Sequence, residues 1–195
     1  MVRISASGSS PKPLERVMIF IDGGYIRRIF SDLFGDDNIH YWRLRNDLQK
    51  WYNAIPSNPF RANLIRAYYY DGIADESEAE YQQQRAYFDN LRESCVFMNV
   101  SLAEAVKQSD GSFRQKGVDV LLAIDSLSMA YLDIYDSGLF LLGDRDFIPL
   151  IEAIKATGKK TFGFLYKRNV SEKLRWTFDY RIILNKEKIA SWHSK

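Results

Sequence analysis

The sequence predicts an α/β domain in which a central, mostly parallel sheet lies between two layers of helices. Short apolar runs alternate along the chain with segments of helical periodicity, an order typical of strand–helix–strand units. Connections of this length join parallel strands. Two of the runs, 17–21 and 139–142, are almost continuously apolar, as strands covered on both faces are. We expect these two runs to be neighbouring central strands.

The first half of the chain alternates strands with helices between turn residues. Pro56 and Pro59 end the second predicted helix, and Asp71 and Gly72 end the second predicted strand. Helices are predicted where apolar side chains recur every three or four residues, and strands where β-branched and aromatic residues cluster. The predicted elements are a strand at 16–21, helices at 25–34 and 42–52, a strand at 63–70, a helix within 76–94, and a strand within 96–106 followed by a turn at Gly111 and Ser112.

The second half repeats this alternation with clearer boundaries. Pro149 is tolerated in the first turn of a helix, and Gly158 suits the left-handed residue that follows a helix end. The predicted elements are a helix at 117–135, a strand at 139–142, a helix at 147–156, a strand at 161–165, a short helix at 171–176 and a strand at 180–184.

Composition fits one domain and excludes several classes of protein. With 195 residues, 46% of them hydrophobic, we predict a single domain over 13–195 after a disordered leader at 1–12. The one cysteine excludes an internal disulfide, and two histidines are too few for a histidine metal centre. No apolar run approaches the roughly 20 residues of a membrane span, and the polar amino terminus lacks the core of a signal peptide. We therefore expect a cytoplasmic protein with no membrane partner.

Four aspartates adjoin the predicted central strands. Asp22 ends the first strand, Asp144 and Asp146 follow the strand at 139–142, and Asp119 lies at the start of the preceding helix. The carboxyl ends of neighbouring parallel strands meet at one crevice, where α/β sheets bind ligands. Carboxylates that converge there repel one another unless a hard divalent cation neutralises them. The pattern therefore indicates a metal-dependent enzyme in which these four aspartates bind the metal and act in catalysis.

Each of these four aspartates also has an ordinary interpretation as a turn, helix-cap or first-turn residue. The four together fit a site better than four independent caps. Asp71 is interpreted as a turn residue before Gly72. Asp125 lies six residues after Asp119, about 240° further around an ideal helix, so we assign it a supporting role outside the metal ligands.

Four segments carry a resemblance to a known family. They read FIDGGY at 20–25, AYYYDG at 67–72, KGVDVLLAID at 116–125 and LGDRDFIPL at 142–150. In this order they resemble the NYN domain family, and more narrowly its bacterial LabA-like branch. The similarity runs from about residue 16 to 184. The second-half pattern is specific, whereas apolar strands that end in Asp-Gly are common.

The resemblance implies a fold and an activity. The NYN family belongs to the PIN-like nucleases, Rossmann-like α/β domains whose clustered acidic residues bind Mg²⁺ or Mn²⁺ and cut RNA. It therefore implies a metal-dependent ribonuclease acting on RNA, with the four aspartates as its site. Many relatives carry Asn three positions after the first aspartate, where this chain has Tyr25. A group that helps to hold a water or a phosphate is thus replaced, which bears on turnover more than on the metal site.

Basic residues on segments that flank the crevice are candidates for binding RNA. We predict substrate contacts from Lys116, Arg145, Arg27 and Lys167, to which further basic residues and two aromatic ones are adjacent: Arg28, Arg114, Arg168, Lys173, Arg175, Tyr166 and Trp176. Such a mixture suits single-stranded RNA, whose phosphates meet cations while its bases stack on rings. Ordinary surface charge is the competing interpretation for each of them.

Two further functions stay open at this point. One is a non-catalytic regulator that keeps the fold and acts through RNA or protein contacts, as a homo-oligomer or with a protein partner. It is favoured by Tyr25 and by the net charge of only +2. The other is a phosphatase-like enzyme, which needs a second acid two residues after the first aspartate. Gly24 occupies that position, so this function falls well behind.

Overall fold

The structure is a computed structural model that describes residues 12–55, 58–107, 113–115 and 117–193. Within these ranges seven strands form one sheet: β1 (Leu14–Asp22), β2 (Arg61–Ala74), β3 (Met98–Lys107), β4 (Phe113–Gln115), β5 (Ser137–Leu141), β6 (Lys160–Tyr166) and β7 (Tyr180–Leu184). The helices of the same ranges are α1 (Gly23–Phe34), α2 (Tyr41–Asn53), α3 (Tyr81–Ser94), α4 (Val118–Tyr131), α5 (Ile148–Ala156), α6 (Glu172–Thr177) and α7 (Lys186–Ile189). Two 3₁₀ turns, Arg145–Phe147 and Ala190–Trp192, complete them. The predicted leader, apart from its last residue, and the predicted turn at Gly111 and Ser112 lie outside the described residues.

The sheet order is β4–β3–β2–β1–β5–β6–β7, and every neighbouring pair except β3 with β4 is parallel. From β1 the chain builds outward through β2 and β3 on one side, and then through β5, β6 and β7 on the other. β1 pairs directly with β5, with Ile19 opposite Leu139. The predicted fold class and the predicted central pair are both confirmed. The strand order reverses between β1 and β5, which places a crevice at their carboxyl ends.

Two apolar layers form the core, one on each face of the sheet. Alternate residues of β1 point to opposite faces, so Ile19 lies in the apolar layer that includes α1, α2 and α3, whereas Phe20 lies in the layer that includes α4, α5 and α6. All of 17–21 is at most 1% exposed. This double burial explains why the run is apolar at every position, and it fixes β1 rigidly beneath the crevice.

The structure corrects several predicted boundaries. β2 continues to Ala74, so Asp71 does not end the strand in a turn but lies inside it, fully buried. Its charge is paired with Arg27, a partner 44 residues away in sequence that no local turn pattern could reveal. α3 begins at Tyr81, and α4 ends at Tyr131. The short antiparallel β4 and the terminal α7 were not predicted.

Helix α4 is apolar around most of its circumference. Val118, Leu122 and Ala130 pack into the core, whereas Val120 and Ile124 on the outer face are each 57% exposed. In the described ranges this outer face remains open to solvent. None of the described helices has both the length and the apolar character needed to cross a membrane.

Candidate active site

A cleft of about 620 Å³ opens at the carboxyl ends of β1 and β5, where the strand order reverses. Four segments line it, and each leaves a different strand or enters a different helix. They contribute Asp22, Gly24, Tyr25 and Arg28 from β1 and α1, Gly117, Val118 and Asp119 from the start of α4, Gly143, Asp144 and Arg145 after β5, and residues 168–171 after β6. Open α/β sheets bind ligands at this position.

Asp22 is the last residue of β1 and the N-cap of α1. Its Oδ1 accepts a hydrogen bond from the Tyr25 backbone N–H at 3.0 Å. Burial raises the pKa of the Asp22 carboxyl to about 6, and the nearby charge of Asp119 adds to this, while the Tyr25 bond and Arg28 oppose it. The fold thus holds a carboxylate where burial disfavours its charge, and a bound cation would remove that penalty.

Asp119 lies in the first turn of α4, just after Gly117, whose left-handed backbone (φ 87°) turns the chain into the helix. Partial burial raises the pKa of the Asp119 carboxyl, and the charges of Asp144 and Asp146 raise it further. The charge of Asp119 in turn contributes to the raised pKa of Asp22. The carboxylates of three elements therefore share one electrostatic environment.

Asp144 lines the cleft, but Asp146 does not. Asp144 is the N-cap of the 3₁₀ turn, and its Oδ1 accepts from the Asp146 backbone N–H at 3.0 Å. The Asp146 side chain is 82% exposed, and its Oδ1 lies 3.8 Å from the Arg145 Nε. The Asp146 side chain therefore lies in solvent outside the cleft lining, although its charge still acts on Asp119. Asp144 is therefore also a helix cap and Asp146 also a first-turn acid, as their ordinary interpretation predicted.

The donors in the cleft fit Mg²⁺ or Mn²⁺ by chemistry, because they are carboxylate oxygens without sulfur or imidazole. Burial is the main cause of the raised pKa values of Asp22 and Asp119, and the charges of neighbouring aspartates add to it. Among the residues that the structure describes, no three His, Cys, Asp or Glu side chains are close enough together to hold one ion. Asp22, Asp119 and Asp144 thus line one cleft, but their side chains are not assembled as a three-ligand metal site. The metal site stays a prediction.

Three arginines, Arg28, Arg145 and Arg168, line the cleft beside the aspartates. Arg145 was predicted as a substrate contact, and Arg28 and Arg168 were named beside it as further candidates. Lys167 is exposed next to Arg168 but is not a lining residue, and the predicted Lys116 lies outside the described residues. Sequence reasoning gave Arg28 no firm role, although helical spacing could have shown it, because Arg28 follows Tyr25 by three residues on one face of α1.

Arg27 is not at this cleft, which corrects its prediction as a substrate contact. Consecutive helical residues differ by about 100°, and Arg27 turns toward β2. Its Nη2 donates to the Asp71 Oδ1 at 2.9 Å and its Nη1 donates to the Tyr69 hydroxyl at 3.0 Å. Tyr69 in turn donates to the Asp71 Oδ2 at 2.7 Å. Arg27 therefore neutralises a buried carboxylate behind the first turn of α1.

Tyr25 fills the floor of the cleft instead of presenting a polar ligand. Its ring packs against Gly143, where any side chain would collide with the ring and with the Asn169 carbonyl oxygen. The Tyr25 hydroxyl accepts from the Tyr166 backbone N–H at 2.7 Å. This residue therefore ties the start of α1 to the ends of β5 and β6, and it holds the acidic segments in place.

Asp125 does not line the cleft, as the helical geometry predicted. It accepts a hydrogen bond from the Tyr70 hydroxyl at 3.1 Å, and Tyr70 is paired in the sheet with Asp22. Asp125 thus fastens α4 to β2 next to the strand end that carries Asp22. Its contribution to the site is to position the helix that bears Asp119.

The fold and the acidic cleft define an α/β protein of the Rossmann-like, PIN-like class. The chain belongs to the NYN domain family, whose sequence model matches residues 16–185. That family is generally nuclease-like. The structure is similar to the crystal structure of a protein of unknown function, VPA0982, from Vibrio parahaemolyticus, with a TM-score of 0.63 and 20% identity over 92% of this chain and 98% of that one. At this identity the likeness shows the fold alone. No curated protein matches the sequence.

Proposed function

We propose that the chain is a divalent-metal-dependent ribonuclease that hydrolyses phosphodiester bonds of single-stranded RNA in this cleft. The observation that carries the proposal is the convergence of Asp22, Asp119 and Asp144, from three separate elements, on one crevice at the reversal of strand order. Membership of a nuclease-like family supports the same reaction class.

Asp22, Asp119 and Asp144 would hold Mg²⁺ or Mn²⁺, and Asp146, whose charge acts on Asp119, is the candidate for a fourth carboxylate. When bound, the ion would lower the pKa of a water molecule that it coordinates, and it would neutralise negative charge on the phosphoryl oxygens. Mg²⁺ keeps several waters, so a few carboxylates suffice.

The other residues of the cleft bind and orient the substrate. Arg28, Arg145 and Arg168 bring three guanidinium groups to the rim, and guanidinium pairs with phosphate oxygens through two parallel hydrogen bonds. Tyr25 and Gly143 keep the acidic and basic segments at a fixed separation through direct packing. Water adds across one P–O bond, and the products are a phosphate monoester and a free hydroxyl.

A second function is a non-catalytic NYN regulator that binds RNA or protein without cutting RNA. It is favoured by two observations on the described residues: no three metal ligands are assembled, and Asp146 is turned outward. The arginine-lined cleft serves this function as well, because phosphate binding does not need a metal.

Cleavage of a labelled single-stranded RNA, with Mn²⁺ or Mg²⁺ and with excess chelator, separates the two functions. The wild type should cut with metal only, and Asp144→Asn should lose activity by orders of magnitude, because metal catalysis lowers the barrier by several kcal/mol. Glu93→Gln is the matched control, since it removes one exposed negative charge from the last turn of α3, outside the residues that line the cleft. If the wild type and Asp144→Asn do not differ in RNA cleavage, the nuclease proposal fails and the regulator remains.

A further inference from the structure

Trp176, in α6, is 58% exposed although indole is among the largest apolar side chains. The preceding Leu174 is fully buried in the core, and Trp176 lies about 200° around the helix from it. The same packing that anchors α6 therefore directs Trp176 into solvent.

Two guanidinium groups lie against this indole. The Arg181 Cζ is 4.3 Å and the Arg175 Cζ 5.1 Å from the centroid of the Trp176 ring. Arginine stacks on an aromatic face and at the same time fixes the orientation of the ring. The two arginines thus hold the Trp176 ring in place, while more than half of the residue's surface is exposed to solvent.

The cations around Trp176 are free of direct ion pairs. Within the described ranges Arg168, Lys173, Arg175 and Arg181 form no ion pair with a carboxylate, whereas Arg16, at the start of β1, pairs with both Asp133 and Asp136. Unpaired positive charge of this density attracts a polyanion. We call Trp176 and these four cations the Trp176 strip.

The Trp176 strip begins at the cleft. Arg168 lines the cleft, α6 starts directly after the lining residue Ser171, and α6 packs beside the turn that carries Arg145. Five helical residues from Ser171 to Trp176 span about 8 Å along the axis. A nucleotide adjacent to one in the cleft therefore comes within reach of the indole.

We infer that the Trp176 strip is a nucleotide subsite for single-stranded RNA, in which one base stacks on Trp176 and the neighbouring phosphates bind the flanking cations. The inference deepens the proposed function and rests on RNA binding in the cleft. Exposed aromatic rings between cations are how proteins bind single strands without strong sequence preference.

Fluorescence anisotropy of a 5′-fluorescein-labelled oligouridylate tests the subsite in chelator, where binding is independent of cleavage. Trp176→Ala should weaken binding by about tenfold, in the range found when one base–aromatic stack is lost, and Trp176→Phe should restore most of it. Trp42→Ala is the matched control. Trp42 is 45% exposed with the Arg43 Cζ 5.1 Å from its ring, but it lies on α2, on the other face of the sheet.

A second probe, the same oligonucleotide with single abasic positions, locates the stacked base. One abasic position should weaken binding to the wild type by about as much as Trp176→Ala does, and it should have no further effect on that variant. Equal affinity of the wild type and Trp176→Ala, or an equal loss with Trp42→Ala, would overturn the subsite even if RNA is cut. If the wild type binds through Trp176 but cuts nothing with Mn²⁺, the nuclease proposal fails while the subsite stands.

Discussion

Replacing Asp22 by Asn should stabilise the metal-free protein above pH 6. Burial raises the Asp22 pKa from 3.8 to about 6, so the folded state binds this proton more tightly than the unfolded state does. The stability from this group is complete below pH 3.8 and is lost as the pH rises through about 6. At 1.36 kcal/mol per pKa unit, ionised Asp22 costs the metal-free fold up to roughly 3 kcal/mol at neutral pH.

Asn removes that cost while it keeps the cap, because its amide oxygen can still accept from the Tyr25 N–H. Urea unfolding in chelator at pH 4 and pH 7.5 measures the effect. The difference between variant and wild type should be near zero at pH 4 and should reach between 1 and roughly 3 kcal/mol at pH 7.5. Glu93→Gln should show no such dependence. An Asp22→Asn protein that is no more stable than the wild type at pH 7.5 would refute the reasoning.

The remaining predictions concern the supports of the cleft and its rim. Gly143→Ala should destabilise the fold by at least 2 kcal/mol in urea unfolding, because the added methyl meets the Tyr25 ring and a backbone oxygen, and wild-type stability would contradict this. Arg27→Ala should cost about 3 kcal/mol by the same measurement, since it removes the guanidinium that neutralises the buried Asp71 carboxylate, and it should leave the salt dependence of RNA binding unchanged. Arg28→Ala should leave the free energy of unfolding within about 0.5 kcal/mol of the wild type. It should lower the slope of log affinity for RNA against log salt concentration by about one, which fluorescence anisotropy at several salt concentrations measures.

The sheet could be predicted because its central strands are buried on both faces. Val17 and the four residues after it are apolar at every position, as is the run 139–142, and short runs of this kind between turn residues are typical of strands covered on both faces. β4 escaped prediction because three residues are too few for a periodic pattern.

The candidate site could be predicted only as far as strand ends determine side-chain positions. Asp22 and Asp144 each leave a central strand, and their shared cleft follows from the parallel order. The outward turn of Asp146 depends on the 3₁₀ geometry after β5, which spacing in sequence does not encode. Asp71 is followed by Gly72, a pair that is typical of turns. Its buried ion pair is formed with Arg27, which is distant in sequence, so local patterns do not reveal it.

The central claim is that the aspartates of the cleft hold a divalent cation that drives RNA cleavage. Single-turnover cleavage of single-stranded RNA, titrated with Mn²⁺ for the wild type and Asp119→Asn, tests it most directly. We predict saturable, chelator-sensitive cleavage by the wild type, and for Asp119→Asn a half-saturating Mn²⁺ concentration at least tenfold higher. Cleavage that persists in chelator, or that needs the same Mn²⁺ concentration in both proteins, would contradict the account.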